Sequence, residues 1–357
     1  MTDPPSRVPA APGPDRRTGA DRRTEALLSL CAADALGAAT EFKSPAAIRA
    51  QYGERILTYQ PGSVFGFAPG EATDDSQMTV ATLLGYRQVG PADAESRHRA
   101  VLAAMRDWLS AAPPDVGNLT RLALRVTAHD PRRLDGGALA WQQGGLDGAG
   151  NGGLMRVAAV WIAGFRGEAL ATEAAVVTAL THADPRCVHA SVFLTGCLEA
   201  LAAGQDLPDA AAAGLRVMEG LDARAALVGA GVLGLETQAA HRAFRERDRE
   251  ARAQVRSRVR QGLAGKLSSQ SGFVLDTLEA ALVHARGADW LACVEPAALL
   301  GDDSDTVACV VGALIGARGL TVPAGLRPDL RLGHSWPGWE RGWPGAEHLP
   351  PLVPPMS

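Results

Sequence analysis

The sequence predicts an all-α fold, and three observations carry that expectation. Hydrophobic residues make up 46% of the 357-residue chain while aromatics make up only 5%. Ala and Leu dominate the apolar content, which favours packed helices over sheets built from β-branched and aromatic side chains. Long apolar runs open on clusters of Asp, Ser and Thr, the residues that cap helix N-termini. The length also permits a core deep enough to bury whole helices, as one large domain or two.

Residues 1–23 hold Pro, Arg, Asp and Gly with almost no large apolar side chain. They bury too little to offset the entropy of ordering and are expected to form a disordered tail. A helix is predicted over 24–37, with Thr24 as its N-cap. Gly37 to Gly70 reads as a loop-rich passage with one short helix over 45–53. Helices are predicted over 76–89 and 92–111. Pro113-Pro114 then breaks the chain, and shorter helices follow over 116–128 and 135–143. A glycine-dense loop from Gly144 to Gly153 leads through Leu154-Met155-Arg156 into an apolar run ending at Phe165. Further helices are predicted over 168–181, 186–203, 208–220, 222–261, 273–286, 289–299 and 306–318. The helical domain is thus placed at 24–322. Residues 323–357, rich in Pro, Trp and Gly, form an extension expected to wrap the surface and to end loosely.

The charge balance narrows the partners. A net charge of -4 gives no push toward nucleic acid or an anionic membrane. The Arg-rich run from Arg242 to Arg260 is interleaved with Glu246, Asp248 and Glu250 and lacks aromatics, so it reads as a solvated helix face with i,i+4 pairs. Five cysteines, with no Cys-x-x-Cys pair, predict buried free thiols in a reducing cytosol and argue against zinc. Arg22-Arg23 before Ala26-Leu27-Leu28 superficially resembles an export signal, but Glu25 and Asp34 interrupt it. No run is long and apolar enough for a membrane helix. The expectation is a cytoplasmic protein, a monomer, without nucleic-acid or membrane partners.

The chemistry concentrates in two stretches. Gly301-Asp302-Asp303-Ser304-Asp305-Thr306 puts three carboxylates within four residues at the mouth of an apolar helix. One acid would suffice as a cap. Two carboxylates about 4 Å apart repel by about 4 kcal/mol at an effective dielectric near 20, and a cation between them turns that cost into binding. Oxygen-only ligands suit Mg²⁺, Mn²⁺ or Ca²⁺. An acidic cap on a core helix is the competing reading. Thr73-Asp74-Asp75-Ser76-Gln77 repeats the pattern after a Pro/Gly-rich loop. Two such helix starts facing one another would enclose a two-metal site.

With both clusters in view, five blocks in fixed order resemble the ADP-ribosylglycohydrolase family. They are Asp34-Ala35-Leu36-Gly37 with Glu41; Thr73-Asp74-Asp75-Ser76-Gln77-Met78; Gly150-Asn151-Gly152-Gly153-Leu154-Met155-Arg156; Thr181-His182; and Asp303-Ser304-Asp305-Thr306. A sixth, Ser271 to Leu282, resembles the family's segment before the last metal motif. The match spans roughly 24–320. Three positions depart from the family pattern: Ala33 and Asp302 stand where glycine is usual, and Phe273 where tyrosine is. Asp302 is expected to add charge beside the metals.

The resemblance implies a compact orthogonal multi-helix bundle with a dinuclear metal cleft. It implies two Mg²⁺, with Mn²⁺ as an alternative, held by Thr73, Asp74, Asp75, Asp303, Asp305 and Thr306. It implies hydrolysis of the bond between ADP-ribose and a modified side chain, arginine first, on a protein or a small molecule. Glu41 is then the candidate base or a metal ligand, with Asp74 and Asp75 as rival bases. Asn151, Gly152, Gly153, Met155 and His182 would contact ADP-ribose, and Phe273 would stack on adenine. The missing Cβ atoms of the glycine loop would let backbone N–H groups approach a diphosphate. Asp34 is expected to orient backbone rather than bind metal. Two other classes stay open: an inactive ADP-ribose-binding protein of the same fold, and a metal phosphohydrolase of another helical class.

Overall fold

The protein is described by a computed structural model over residues 19–89, 93–332 and 346–355. Its elements are helices: α1 (Gly19–Gly37), α2 (Pro45–Tyr52), α3 (Asp74–Val89), α4 (Ala94–Ser110), α5 (Asn118–Val126), α6 (Gly136–Gln143), α7 (Ala158–Ile162), α8 (Gly167–Ala179), α9 (Pro185–Ala202), α10 (Leu207–Gly220), α11 (Ala223–Gly229), α12 (Gln238–Leu263), α13 (Val274–His284), α14 (Trp290–Ala298) and α15 (Ser304–Arg318). Among the described residues there is no strand, only two isolated bridges, Glu71 with Arg331 and Gly150 with Phe273.

The first and last long helices pack against each other. The reason lies in glycines. A Cβ on Gly312 would stand 2.5 Å from the Ser29 carbonyl, and one on Gly316 would stand 2.5 Å from Ala26 Cα. The backbones of α1 and α15 therefore touch with no side chain between them. Gly37 does the same at the end of α1, where its Cβ would lie 2.5 Å from Asp305 Cα. Helix α9 is apolar on every side and buried along nearly its whole length, with α8, α10, α12, α13 and α15 around it.

Three expectations need correction. Helix α1 begins at Gly19, not at 24, so Thr24 lies inside it rather than at its cap. Arg23 is buried there, donating to the carbonyls of Ile162 and Pro354. The single helix predicted over 222–261 is two, α11 and α12. The break falls at Gly231, whose φ of +70° no L side chain adopts cheaply, and Val232 and Leu233 beyond it turn into the core. The arginine face of α12 is solvated at Arg242, Arg245, Arg249 and Arg260 as expected, but three of its arginines form ion pairs with other elements rather than i,i+4 pairs: Arg247 with Asp147, Arg256 with Glu219, and Arg258 with Asp276 and Glu279. The tail expected over 1–23 falls outside the described residues up to position 18, as do 333–345, where Trp336, Trp339 and Trp343 lie, and 356–357. The described part of the extension packs into the protein: Leu326, Leu330, Leu332, Leu349 and Leu352 are buried. Arg331 donates to the Gly70 carbonyl and accepts from Ala72 N–H, immediately before Thr73. All five cysteines are buried free thiols, and among the described residues no helix is long and apolar enough to cross a membrane.

Candidate active site

The last turn of α1 organises both aspartate clusters. Asp34 is fully buried. It accepts from Thr73 N–H at 3.1 Å, Thr73 Oγ1 at 2.8 Å, Ser76 N–H at 3.1 Å and Ser76 Oγ. It thus takes up donors at the start of α3, the job of an N-cap carried out from another helix. Burial still outweighs those bonds and pushes its carboxyl up to about 6. Three residues on, Gly37 admits the backbone of Asp305. One helix end therefore fixes where α3 and α15 begin.

Beyond Gly37 the chain turns through Thr40, whose hydroxyl lies 2.9 Å from Ser304 Oγ, to Glu41. The next two residues exchange backbone bonds with the turn before α15: Phe42 N–H donates to the Asp302 carbonyl at 2.6 Å, and Asp302 N–H to the Lys43 carbonyl at 3.2 Å. Both Phe42 (φ +54°) and Asp302 (φ +48°) are left-handed, as is Gly301 between them in space. The family glycine at position 302 thus has a conformational reason, and Asp, which tolerates this region better than most residues, meets it here. Its side chain is exposed, and its charge still reaches Asp303, whose carboxyl it helps to push up.

The second motif completes a cleft of about 330 Å³. Glu41, Asp74, Asp305 and Thr306 line it together with Asn151, Gly152, Met155 and His182. Buried Asp75 and half-buried Asp303 adjoin them: Asp75 Oδ2 accepts from Thr306 Oγ1 at 3.1 Å, and Asp303 Oδ2 from Asn151 Nδ2 at 2.7 Å. Thr73 spans Asp34 and Asp75, its Oγ1 lying 3.4 Å from Asp75 Oδ2. The structure thus brings together every residue expected at the metal centre.

One member was not anticipated. Asp115, after Pro113-Pro114, lines the same cleft, and one carboxylate oxygen from each of Glu41, Asp115 and Asp305 lies within 4.8 Å of the others. Its carboxyl is hydrogen-bonded to that of Asp74, and burial raises it to about 6. A lone Asp after two prolines carries no pattern that would single it out. Burial first, then repulsion from Asp305, Asp115, Asp74 and Asp303, pushes Glu41 up to about 12. Asp74, Asp75 and Asp305 are also driven well upward, by burial and by each other.

These residues fit a hard divalent cation. Glu41 Oε2, Asp75 Oδ1 and Asp305 Oδ1 are buried and have no hydrogen-bond partner. Buried carboxylate oxygens without donors are costly. A cation among them supplies the missing partner and reverses the repulsion that raises their pKa values.

The glycine turn lines the cleft and is also tightly packed from behind. Asn151–Gly153 forms one 3-10 turn. A Cβ on Gly152 would meet His182 Cε1 at 2.9 Å, and one on Gly153 would meet Thr178 Cγ2 at 2.7 Å. The missing Cβ atoms make room for α8 and its following residues, so packing alone requires these glycines. Arg156, fully buried beneath the turn, donates to the carbonyls of Gly152 and Val177 and, at 2.6 Å, to Thr181 Oγ1. That leaves the Thr181 hydroxyl proton for His182 Nδ1, 2.8 Å away. His182 then carries its own proton on Nε2, beside the glycine turn. Burial, helped by the Arg156 charge, drives the imidazole down to about 3, so it is a neutral donor. Phe273 is half-buried and does not line the cleft; the Arg186 guanidinium lies over its ring, 5.3 Å from the centroid, and is itself held by Asp184 and Asp147.

A family model described as ADP-ribosylglycohydrolase matches residues 14–336. The ADP-ribosylarginine hydrolase Tri1 of Pseudomonas putida (strain GB-1) is 29% identical over 306 residues, 83% of this chain and 70% of that protein. Tri1 of Serratia proteamaculans (strain 568) is 27% identical over 324 residues, covering 89% and 75%. The ADP-ribosyl-[dinitrogen reductase] glycohydrolase of Rhodospirillum rubrum is 33% identical over 137 residues, 38% of this chain and 42% of that one. A solved structure described as an ADP-ribosylglycohydrolase-related protein complex superposes with a TM-score of 0.60 at 24% identity, covering 94% of this chain and 96% of its own, a likeness of fold. A family model that runs through both aspartate clusters and the glycine turn between them makes this chain a member of the ADP-ribosylglycohydrolase family, a hydrolase of glycosidic bonds.

Proposed function

We propose that the protein is a dinuclear-metal hydrolase that removes ADP-ribose from modified arginine side chains of proteins, reversing mono-ADP-ribosylation. The observation that supports this most is the convergence of Glu41, Asp74, Asp75, Asp115, Asp303 and Asp305, with three unpartnered buried oxygens, beside the Asn151–Gly153 turn. Arginine as the acceptor rests on what the Pseudomonas and Serratia relatives are named for.

In this reading Thr73, Asp74, Asp75, Asp303, Asp305 and Thr306 hold two Mg²⁺ or Mn²⁺. Bound there, such ions supply Lewis-acid stabilisation and orient ribose hydroxyls. Cleavage at C1″ passes through an oxocarbenium-like state, and the carboxylates stabilise its positive charge. Glu41, on the cleft wall, takes the proton from the attacking water; Asp115 and Asp74 are the neighbours able to replace it. As the bond to C1″ breaks its electron pair stays on the departing guanidine nitrogen, which takes up the proton that Glu41 removed from water. Neutral His182 donates from Nε2 to an oxygen of the bound ADP-ribose, and Asn151, fixed by Asp303 and Thr277, presents the turn. The reading places the protein in the cytoplasm, in keeping with five free thiols.

The test is a protein carrying ADP-ribosylarginine, incubated with Mg²⁺ or Mn²⁺, with ADP-ribose release followed beside a serine-linked substrate. Release from the arginine linkage that stops on chelation is expected. Release from neither linkage, with ADP-ribose still bound, would instead support a binding protein. In thermal unfolding, ADP-ribose at one hundred times its Kd should add about 2.7 kcal/mol, only with metal present, and not in Asp303→Ala or Asp305→Ala.

A further inference from the structure

Phe42 is the odd residue of the cleft. It lines the cavity yet is 64% exposed, and it is a bulky residue held at φ +54°. Aromatic residues rarely tolerate this region, and such strain persists only where the surroundings enforce it. Here two sets of contacts do. Its N–H donates to the Asp302 carbonyl. Its ring meets Phe65 at 5.9 Å between centroids, planes 68° apart, and Phe65 in turn meets buried Phe67. The loop bearing Phe65 is tied down by Lys43 Nζ to the Gly62 carbonyl at 2.6 Å and by Tyr52 Oη to the Pro61 carbonyl at 2.7 Å. A ring kept out of the core, in a costly conformation, by a braced support is positioned rather than left over.

Its surroundings say for what. Glu41 adjoins it in sequence, and Asp74, Asp115 and Asp305 line the same cavity. An aromatic face beside carboxylates suits a planar cation, which takes attraction from the ring quadrupole and from the acids together. In the proposed reading the glycine turn and His182 take the ADP-ribose, which leaves Phe42, next to Glu41 in the chain, for the acceptor.

We propose that Phe42 is the acceptor-side specificity residue: its ring stacks on the guanidinium of the ADP-ribosylated arginine and selects cationic, planar acceptors over hydroxyl-linked ones. This rests on the hydrolase reading above.

The experiment compares wild type with Phe42→Gly, Phe42→Leu and Phe42→Tyr. Glycine suits the left-handed backbone, so loss of folding is not a confounder; leucine keeps apolar bulk without a π face; tyrosine keeps the ring. Two quantities are read: kcat/KM on arginine-linked against serine-linked substrate, and calorimetric affinity for ADP-ribosylarginine against ADP-ribose. The Gly and Leu variants should lose roughly 5- to 20-fold on the arginine side of both comparisons, with serine-linked turnover and ADP-ribose affinity within about twofold of wild type. Tyr should restore them. Equal loss on both linkages, no loss, weakened ADP-ribose binding, or full activity of the Leu variant would each overturn the proposal. A wild-type protein that turns over neither linkage sinks the hydrolase reading instead; the calorimetric comparison then decides Phe42 by itself.

Discussion

Asp34 touches no part of the cleft, yet the site depends on it. It meets four donors from Thr73 and Ser76, and an asparagine there can accept from only some of them. Asp34→Asn should cost about 1–3 kcal/mol of stability and lower metal affinity by roughly 10- to 100-fold, read by denaturant midpoint and by metal titration. His182 offers a different check. With its imidazole held down to about 3, it stays neutral from pH 5 to 8, so the pH–rate profile should show no inflection from it. Thr181→Val should weaken the Nε2–H tautomer, detectable in the nitrogen shifts of labelled His182. At this scale the sequence was readable where a pattern repeats. The two Asp clusters are legible because three acids at one helix start exceed what a cap needs and a second Thr-Asp-Asp start repeats the pattern. Asp115 stayed hidden because a single acid after Pro113-Pro114 looks like any turn. Asp302 is legible as charge beside Asp303, but the left-handed φ that explains a glycine at its place is not.

The helices were legible from periodic apolar runs and caps, their junctions less so. Over 222–261 the pattern reads as one helix because Val232 and Leu233 continue the apolar content, and only the positive φ at Gly231 shows the break. The glycines of α15 carry the opposite lesson. Locally they weaken a helix; their partners, Ala26 and Ser29, lie nearly the whole chain away, where no local signal reports them. Gly312→Ala should destabilise by about 1–3 kcal/mol through overpacking against α1, measured by thermal or urea unfolding. Gly37→Ala presses on Asp305 rather than on core side chains. It should therefore lose metal-dependent stabilisation by ADP-ribose more than it loses stability of the metal-free protein.

For the whole molecule, acid sensitivity has a named source at His284. Burial without a partner for Nε2 lowers its imidazole to about 4. A histidine lowered in the folded state takes its proton more readily when unfolded. Its contribution is therefore complete above the unfolded value near 6.5 and is lost as pH falls from there toward about 4. Between pH 7 and pH 5 wild type should lose about 2 kcal/mol more than His284→Gln, read from urea midpoints at the two pH values. The contact between α1 and α15 has a consequence in time. The two halves of the carboxylate cluster, Asp74 and Asp303, are far apart on the message but adjacent in space. At ordinary elongation speeds of about 5–20 residues per second, the second leaves the ribosome on the order of 10–45 s after the first. Until then α1 lacks α15, its main packing partner, and Phe42 lacks the Asp302 carbonyl that accepts its N–H. A nascent chain of this protein therefore carries half a carboxylate cluster and an uncovered face of α1 until α15 arrives to close both.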